Sequence, residues 1–552
     1  MKKFSILIIS SLIIILSSSV VSANNFHNLC KYGDLSRIEL AIDNGANINA
    51  KNIDGETPLM FAAKYNDDED VIKLLIYNGA KVDDINIYGE SVLFYALRYN
   101  KNPKVAEVLI DQGADVNLLG EQNKTPLVYA INRGDAELVE LLIKNGAELN
   151  IEFEGDQTLL MYAIEHTNNF EIISTLINYG ADVNGRIPYG ASVLMWAARY
   201  TNNPKIIKLL IKNRAEVNFA TSLKETPLLY ASKYNKNPEI IKVLIDAGAE
   251  INQQDIKQTT PLMYLLKNYK LELVGPLIDQ VDNIDKQDKD GKTLLFYAAE
   301  GNSDSRVIIK LIEAGADVNL KSVDGSTVLI NAVKFNQNPE IIKALIDNGA
   351  KLNIRDNIGK TALMYAIIEN GNLDIVNTLI GNGASLECRD RSGRTPLMLA
   401  IQEDNLKLVE YLINSGAKIN DVDKKEETPL IYALRFSKDP TLISLLLNSG
   451  AKSNFKSWYG MTPLMYAAQY NSNPEIIELL VEAGADINAK TDYGWTPLMF
   501  AAKYNENPEV VTRLLKLGAD YNIKDNKGKK AIDYVKENEF LRDTEVYLKL
   551  IL

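Results

Sequence analysis

Two short strings carry the residue types of a phosphate cradle: Gly291-Lys292-Thr293 and Gly359-Lys360-Thr361. A phosphate loop wraps its anion in backbone N–H groups and needs a further glycine five residues before the first of these. Lys286 and Ile354 stand there instead, so the glycines read as turn residues and the threonines as helix caps. Asp288 and Asp290-Gly291 have the spacing of a calcium loop. That loop's first position is Lys286 and its last Tyr297, and neither supplies the carboxylate a calcium ion needs. The two histidines, His27 and His166, fit no metal or triad pattern, and His-Glu-x-x-His, Cys-x-x-Cys and Gly-x-Ser-x-Gly are absent. No catalytic residue, metal ligand or cofactor is expected, and the chain reads as a non-enzyme.

The chemistry that remains is that of contact, and its residues are aromatic. Trp458 and Tyr459 precede Gly460, and Tyr493 and Trp495 flank Gly494, on two neighbouring turns. A second set places a basic or polar residue before an aromatic: Lys64-Tyr65, Arg98-Tyr99, Arg199-Tyr200, Lys233-Tyr234, Lys334-Phe335, Arg435-Phe436, Gln469-Tyr470 and Lys503-Tyr504. Tyr, Trp and Arg often dominate protein contacts, so these residues are the candidate partner-binding set. Two uses compete for them. The rings either face a partner or pack on the adjoining turn.

A period positions these residues. Ser or Thr opens an apolar run at 57, 91, 125, 158, 192, 226, 260, 293, 327, 361, 395, 428, 462 and 496, at intervals of 33 or 34 residues. A fixed period of this length marks a solenoid, where each unit buries its apolar face only against its neighbours. In the pattern unit the Thr57 hydroxyl caps a helix and Pro58 takes its first position, where a missing N–H costs nothing. Leu59 and Ala62 lie three apart on one face, and the small Ala lets a second helix, Val71 to Ile76, approach closely. Asn78-Gly79-Ala80 ends that helix, glycine supplying a left-handed residue. Short extended segments around Asp-Gly or Tyr-Gly then form a hairpin.

Helix, turn, helix and hairpin, closed by an Asn-Gly-Ala phrase, resembles the ankyrin repeat from about residue 26 to the end. The resemblance implies an all-α repeat solenoid, an ankyrin-type helix-turn-helix-hairpin stack forming a curved superhelix. Residues 24–50 are expected to be an amino-terminal capping repeat, 51–259 and 287–524 two runs of repeats, and 525–552 a carboxy-terminal cap. Ankyrin units usually read Thr-Pro-Leu-His, the imidazole joining a hydrogen-bond network. Here that slot holds residues such as Met60, Phe94 and Met195, never His, which predicts apolar packing in place of polar bonding. The next position is aromatic in twelve repeats, from Phe61 to Phe500. Longer units insert one residue between their helices, and in seven of them Pro follows Asn or Asp, from Pro103 to Pro508, an expected cap and first helical position.

The unit at 260–286 breaks the pattern. Leu265 replaces the small Ala, Gly275-Pro276 falls inside the second helix and no Gly-Ala closes it. Proline in a helix interior costs about 3 kcal/mol, so a kink or irregular packing is expected. Arg214 stands where glycine ends the helix elsewhere, at a cost of roughly 1 kcal/mol.

Residues 1–23 have the layout of a signal peptide: Lys2 and Lys3, an apolar run of 13 residues from Phe4 to Leu16, and a Ser-rich stretch ending in Ala23. Thirteen residues are short for a bilayer span, which needs about 20. An exported protein, periplasmic or secreted and of bacterial type, is expected, with no membrane span after signal removal. Losing the two lysines takes the formal charge from −12 to −14, which disfavours nucleic acid. Cys30 and Cys388 are expected to be unpaired. The resemblance implies a monomeric, non-enzymatic protein-interaction scaffold of the bacterial envelope or exterior, with partners on its concave face and hairpin tips. The alternative is an envelope carbohydrate binder that uses the aromatic ladders as sugar platforms.

Overall fold

The computed structural model describes residues 23–120, 124–151, 157–188, 190–267, 269, 271–301, 304–336 and 338–551. The expected signal segment lies, but for Ala23, outside the described residues. The chain divides into two compact units, the first ending at Pro261 and the second starting at Leu262, at the restart of the irregular repeat. Each unit is a series of two-helix repeats. In the pattern repeat the helices are Pro58–Tyr65 and Glu69–Tyr77, and the next pair is Val92–Tyr99 and Pro103–Asp111. Like packs on like: the first helix of a repeat lies against the first helices of its neighbours, the second against the second.

The caps explain where helices begin. The Thr57 hydroxyl accepts the Met60 N–H at 3.3 Å, and the same bond recurs at Ser192 and Thr327. Ser91 and Thr125 make no such bond. Asn102, Asn203, Asn237, Asn338, Asp439, Asn473 and Asn507 each cap a second helix whose first residue is proline. Leu59, Ala62 and their equivalents are fully buried, as the seam requires. Arg214 takes the left-handed conformation, with φ +67°, that glycine holds in the neighbouring repeats.

The link between repeats is a closed turn rather than a strand hairpin. Among the described residues the only β-pairing consists of isolated bridges, such as Ile85 with Ser91 and Lys321 with Thr327. In most turns an Asn, Asp, Ser or Thr five residues before the restart organises the loop. Asp356 is typical. Its N–H donates to the Lys360 carbonyl, and its Oδ1 accepts the N–H groups of Ile358 and Lys360 at 3.0 and 2.8 Å. Many successive turns are then joined by one backbone bond, as from Arg391 N–H to the Ile358 carbonyl at 3.0 Å. Gly359, with φ +81°, is required there, because a Cβ would sit 2.8 Å from the Arg391 nitrogen.

Two asparagine ladders staple neighbouring repeats. Asn100 is buried, and its Nδ2 donates to the carbonyls of Ala63 and Asn66, both at 2.9 Å, while its Oδ1 accepts the Asn102 N–H. Asn235 and Asn505 repeat the arrangement. At the other end of the repeat, Asn49 donates to the Gly79 carbonyl and accepts from the Lys81 N–H, as Asn218 does with Gly248 and Glu250. A buried backbone group without a partner is costly, so these amides set the register between repeats.

In the irregular unit the second helix, Leu271–Ile278, continues through Pro276, whose ring is exposed while Gly275 is buried. No left-handed residue closes it; the Gln280 and Val281 N–H groups turn back to the Leu277 and Ile278 carbonyls. A second irregularity lies at Ala366–Asn370, where the inserted residue of a longer repeat without proline is absorbed as one π-helical turn. Cys30 is buried and Cys388 partly so, and both are free thiols; burial pushes the Cys30 thiol up to about 12. No described helix is long and apolar enough to cross a membrane.

Candidate partner-binding surface

The basic-aromatic pairs sit at the exits of the first helices and form interleaved ladders. Lys64 Nζ lies 5.1 Å from the Tyr65 ring centre and 4.7 Å from that of Tyr99 in the next repeat. Arg199 sits between Tyr200 and Tyr234 at 4.9 and 4.5 Å, and Arg435 between Phe436 and Tyr470 at 5.3 and 5.7 Å. A cation over a ring face is attracted by the ring quadrupole, so each one ties two repeats together. Tyr65, Tyr99, Tyr234, Phe335, Phe436, Tyr470 and Tyr504 remain exposed over roughly half their surface; Tyr200 is more covered. The first unit carries Tyr65, Tyr99, Tyr200 and Tyr234, and the second carries the rest.

Three of the cations are anchored from the other side by the residue just before the restart. Glu90 meets Arg98 at 3.1 Å, Glu225 meets Lys233 at 2.7 Å and Glu427 meets Arg435 at 2.6 Å. Trp495 occupies this same place in its repeat. Its ring takes up the packing use: it lies on Phe500, Tyr504 and Tyr534 with centroids 5.1, 6.1 and 4.4 Å away, and Lys503 lies over it. Trp495 stands at the base of the turn, where Glu56, Glu90, Glu225 and Glu427 stand in other repeats, and Tyr534 of the following repeat packs on it and leaves it half-buried.

Its proposed companions behave differently. Trp458 is 48 % exposed, Tyr459 59 % and Tyr493 60 %, and the two tyrosine rings lie 6.0 Å apart across successive turns. Sequence reasoning missed the same feature in the first unit, where Ile53, Ile87 and Tyr88 project from consecutive turns, Ile53 at 94 % exposure. The signal was available as apolar residues beside the turn glycine, but aliphatic side chains carry no distinctive chemistry to flag them.

The slot itself packs as expected, with Met60, Phe94 and Met195 buried, but polar bonding is not lost with the histidine; it has moved one residue along. The Tyr297 hydroxyl donates to Asp288 Oδ2 at 2.7 Å, Tyr365 to Asp356 at 2.7 Å, Tyr432 to Asp423 at 3.0 Å and Tyr534 to Asp525 at 2.5 Å. Tyr95 donates instead to Glu56 of the preceding repeat at 2.7 Å. The calcium-like string at Asp288 is therefore a turn organiser whose oxygens are engaged internally. Burial pushes the hydroxyls of Tyr95, Tyr365, Tyr432 and Tyr534 up from their usual range, and the neighbouring carboxylates add to it. Burial opposes the Asp525 carboxylate, but bonds from Tyr534 and the turn N–H groups outweigh it and hold the pKa down.

The sign of the pH effect follows. Below the unfolded tyrosine pKa of about 10 both states keep their phenolic protons and the bonds contribute in full. As pH rises further, the unfolded chain releases protons that the folded chain retains, so stability falls. Urea midpoints measured from pH 8 to 11 are expected to decline above pH ~10, and less steeply in the Tyr365→Phe/Tyr432→Phe variant. An equal slope in that variant would show that the phenols do not drive the loss.

The family model for ankyrin repeats, described as three copies, matches residues 26–119, 116–187, 185–255, 228–322, 295–390, 368–457 and 436–525. The chain belongs to the ankyrin repeat family. Among solved structures it is similar to the human ASB11 ankyrin repeat domain, with 27 % identity, covering 42 % of this chain and 99 % of that one at a TM-score of 0.36. It is also similar to the ankyrin repeat domain of Bcl-3, a member of the IkappaB protein family, with 26 % identity, 40 % and 98 % coverage and a TM-score of 0.37. No curated protein matches the sequence. Ankyrin repeats are generally protein–protein interaction scaffolds and typically non-enzymatic.

Proposed function

We propose that this chain is a non-enzymatic scaffold that binds other proteins along the exits of its first helices and the tips of its turns. The ladders of half-exposed rings separated by cations carry the reading. A ring held in place by a neighbouring cation and by its own helix loses little freedom on binding, which is what makes Tyr and Phe effective anchors. Phe436, Tyr470 and Tyr504 on three consecutive repeats form the longest run. Of the twelve residues proposed to meet partners, Tyr200 and Trp495 are the more covered, and the other ten offer the larger contact surface.

Export to the envelope or exterior of a bacterial cell is part of the proposal, supported by the charged, apolar and small-residue order of residues 1–23. A photo-crosslinking residue at 459 or 470 in the producing cell is expected to capture one set of proteins. The Phe436→Ala/Tyr470→Ala/Tyr504→Ala variant should reduce capture at 459 by about tenfold or more, since anchor residues are each worth about 2 kcal/mol. Undiminished capture by that variant would remove the ladder from the site. Capture of glycan in place of protein would favour the sugar-platform reading. An amino terminus at Met1 in the mature protein would refute export with cleavage.

A further inference from the structure

We propose that the turns of four consecutive repeats in the second unit form a binding groove for an extended acidic segment of a partner protein. The groove is separate from the aromatic ladders and stands whether or not those bind. It has a volume of about 960 Å³ and draws its positive charge from Lys321, Arg355, Arg389, Arg391 and Lys424. This is a basic surface on a chain whose formal net charge is −12.

The three carboxylates that share the groove are turned into the fold. Asp356 and Asp423 each give one oxygen to two turn N–H groups and the other to a buried tyrosine hydroxyl. Asp390 gives one to the Ser392 and Arg394 N–H groups and the other to the Arg394 guanidinium. Four of the five cations have no such engagement with a carboxylate. Lys321 Nζ donates to the Arg355 carbonyl at 3.3 Å, and Arg355 Nη1 to the Arg389 carbonyl at 3.1 Å, so backbone bonds hold both heads in a row. Arg389 also reaches Asp421 at 2.8 Å. Among the described residues Lys321, Arg355, Arg391 and Lys424 form no ion pair, and all four are exposed.

Spacing selects the ligand. Lys321, Arg355 and Arg389 occupy the same place in successive repeats, and packed repeats advance by about 10 Å. A peptide in the extended polyproline-II form has three residues per turn and rises about 3.1 Å per residue, so every third side chain returns to the same face about 9 Å along the row. A segment with Glu or Asp at every third position therefore matches the cations one for one. Arginine's planar fork favours carboxylates in paired hydrogen bonds, and the single carbonyl bond from Nη1 leaves the rest of the Arg355 fork free.

The probe is a fluorescein-labelled twelve-residue peptide with Glu at every third position on a Gly/Ser background, titrated against the full chain by anisotropy. The full chain is expected to bind it, and to bind a peptide with Lys at those positions at least about tenfold more weakly. Raising ionic strength from about 50 to 300 mM should weaken binding several-fold. Arg391→Glu/Lys424→Glu, which breaks no internal bond, should lower affinity about tenfold with unchanged thermal unfolding, and Lys321→Gln/Arg355→Gln should act in the same direction. Absence of binding to the full chain, or equal affinity in Arg391→Glu/Lys424→Glu, would overturn the proposal. Tighter binding of inorganic polyphosphate through the same four residues would overturn the peptide as ligand. Loss of the aromatic ladder's partner in these variants is not expected, so the two surfaces fail independently.

Discussion

Asn505→Ala is expected to destabilise the last repeats by about 3 kcal/mol or more, because each buried polar group left unpaired costs about 1–3 kcal/mol. The Asn505 side chain is buried and its Nδ2 donates to the Ala468 and Asn471 carbonyls, both at 2.9 Å. Its Oδ1 accepts the Asn507 N–H at 2.9 Å. Asn507 in turn caps the helix Pro508–Lys516 and reaches back to the Ser472 carbonyl at 2.7 Å. One substitution thus strips three backbone groups of partners and loosens the cap beside them. Guanidinium unfolding followed by Trp495 fluorescence, in a background where Trp196 and Trp458 are replaced by Phe, reads this part of the chain. A midpoint shift worth less than about 1 kcal/mol would show that water replaces the amide at no cost.

Trp495→Ala is expected to cost about 3 kcal/mol, in the range for a large aromatic removed from packed surroundings. Trp458→Ala should cost less than about 0.5 kcal/mol, as for an ordinary surface position. Both residues adjoin a turn glycine, so the contrast isolates what the fold adds. Trp495 touches Phe500, Tyr504 and Tyr534, the last in the following unit, and carries Lys503 on its face. Trp458 is 48 % exposed, with its neighbour Tyr459 at φ +62° carrying it outward. Hydrogen exchange across residues 496–538 is expected to accelerate in Trp495→Ala and to be unchanged in Trp458→Ala. Equal effects from the two would mean that the following repeat does not hold Trp495.

Much of the repeat was legible without coordinates. Leu59 with Ala62, the Asn102-Pro103 cap and the left-handed place of Arg214 are local matters of helix geometry, capping and φ, which residue type and spacing determine. The Tyr–Asp bonds were legible in principle, because Asp288 and Tyr297 recur as a pair nine residues apart, as do Asp356 and Tyr365. A tyrosine in an apolar run offers both a ring to pack and a hydroxyl to bond, and residue type alone does not separate the two. The pairing of Glu90 with Arg98 bridges eight residues across a turn and a helix, a distance that no helical periodicity flags.

What the sequence determined by itself is the unit: its length, its caps, its seam and its membership of the ankyrin family. Only the tertiary structure decided which rings face water, which cations keep an unpaired head and which turns line up. Exposure is a property of the repeat next door. Trp495 and Trp458 look alike in the chain, but Tyr534 covers one and nothing comparable covers the other. Lys321, Arg355 and Arg389 are 34 residues apart in sequence and become neighbours only when backbone bonds between turns set the repeats in register.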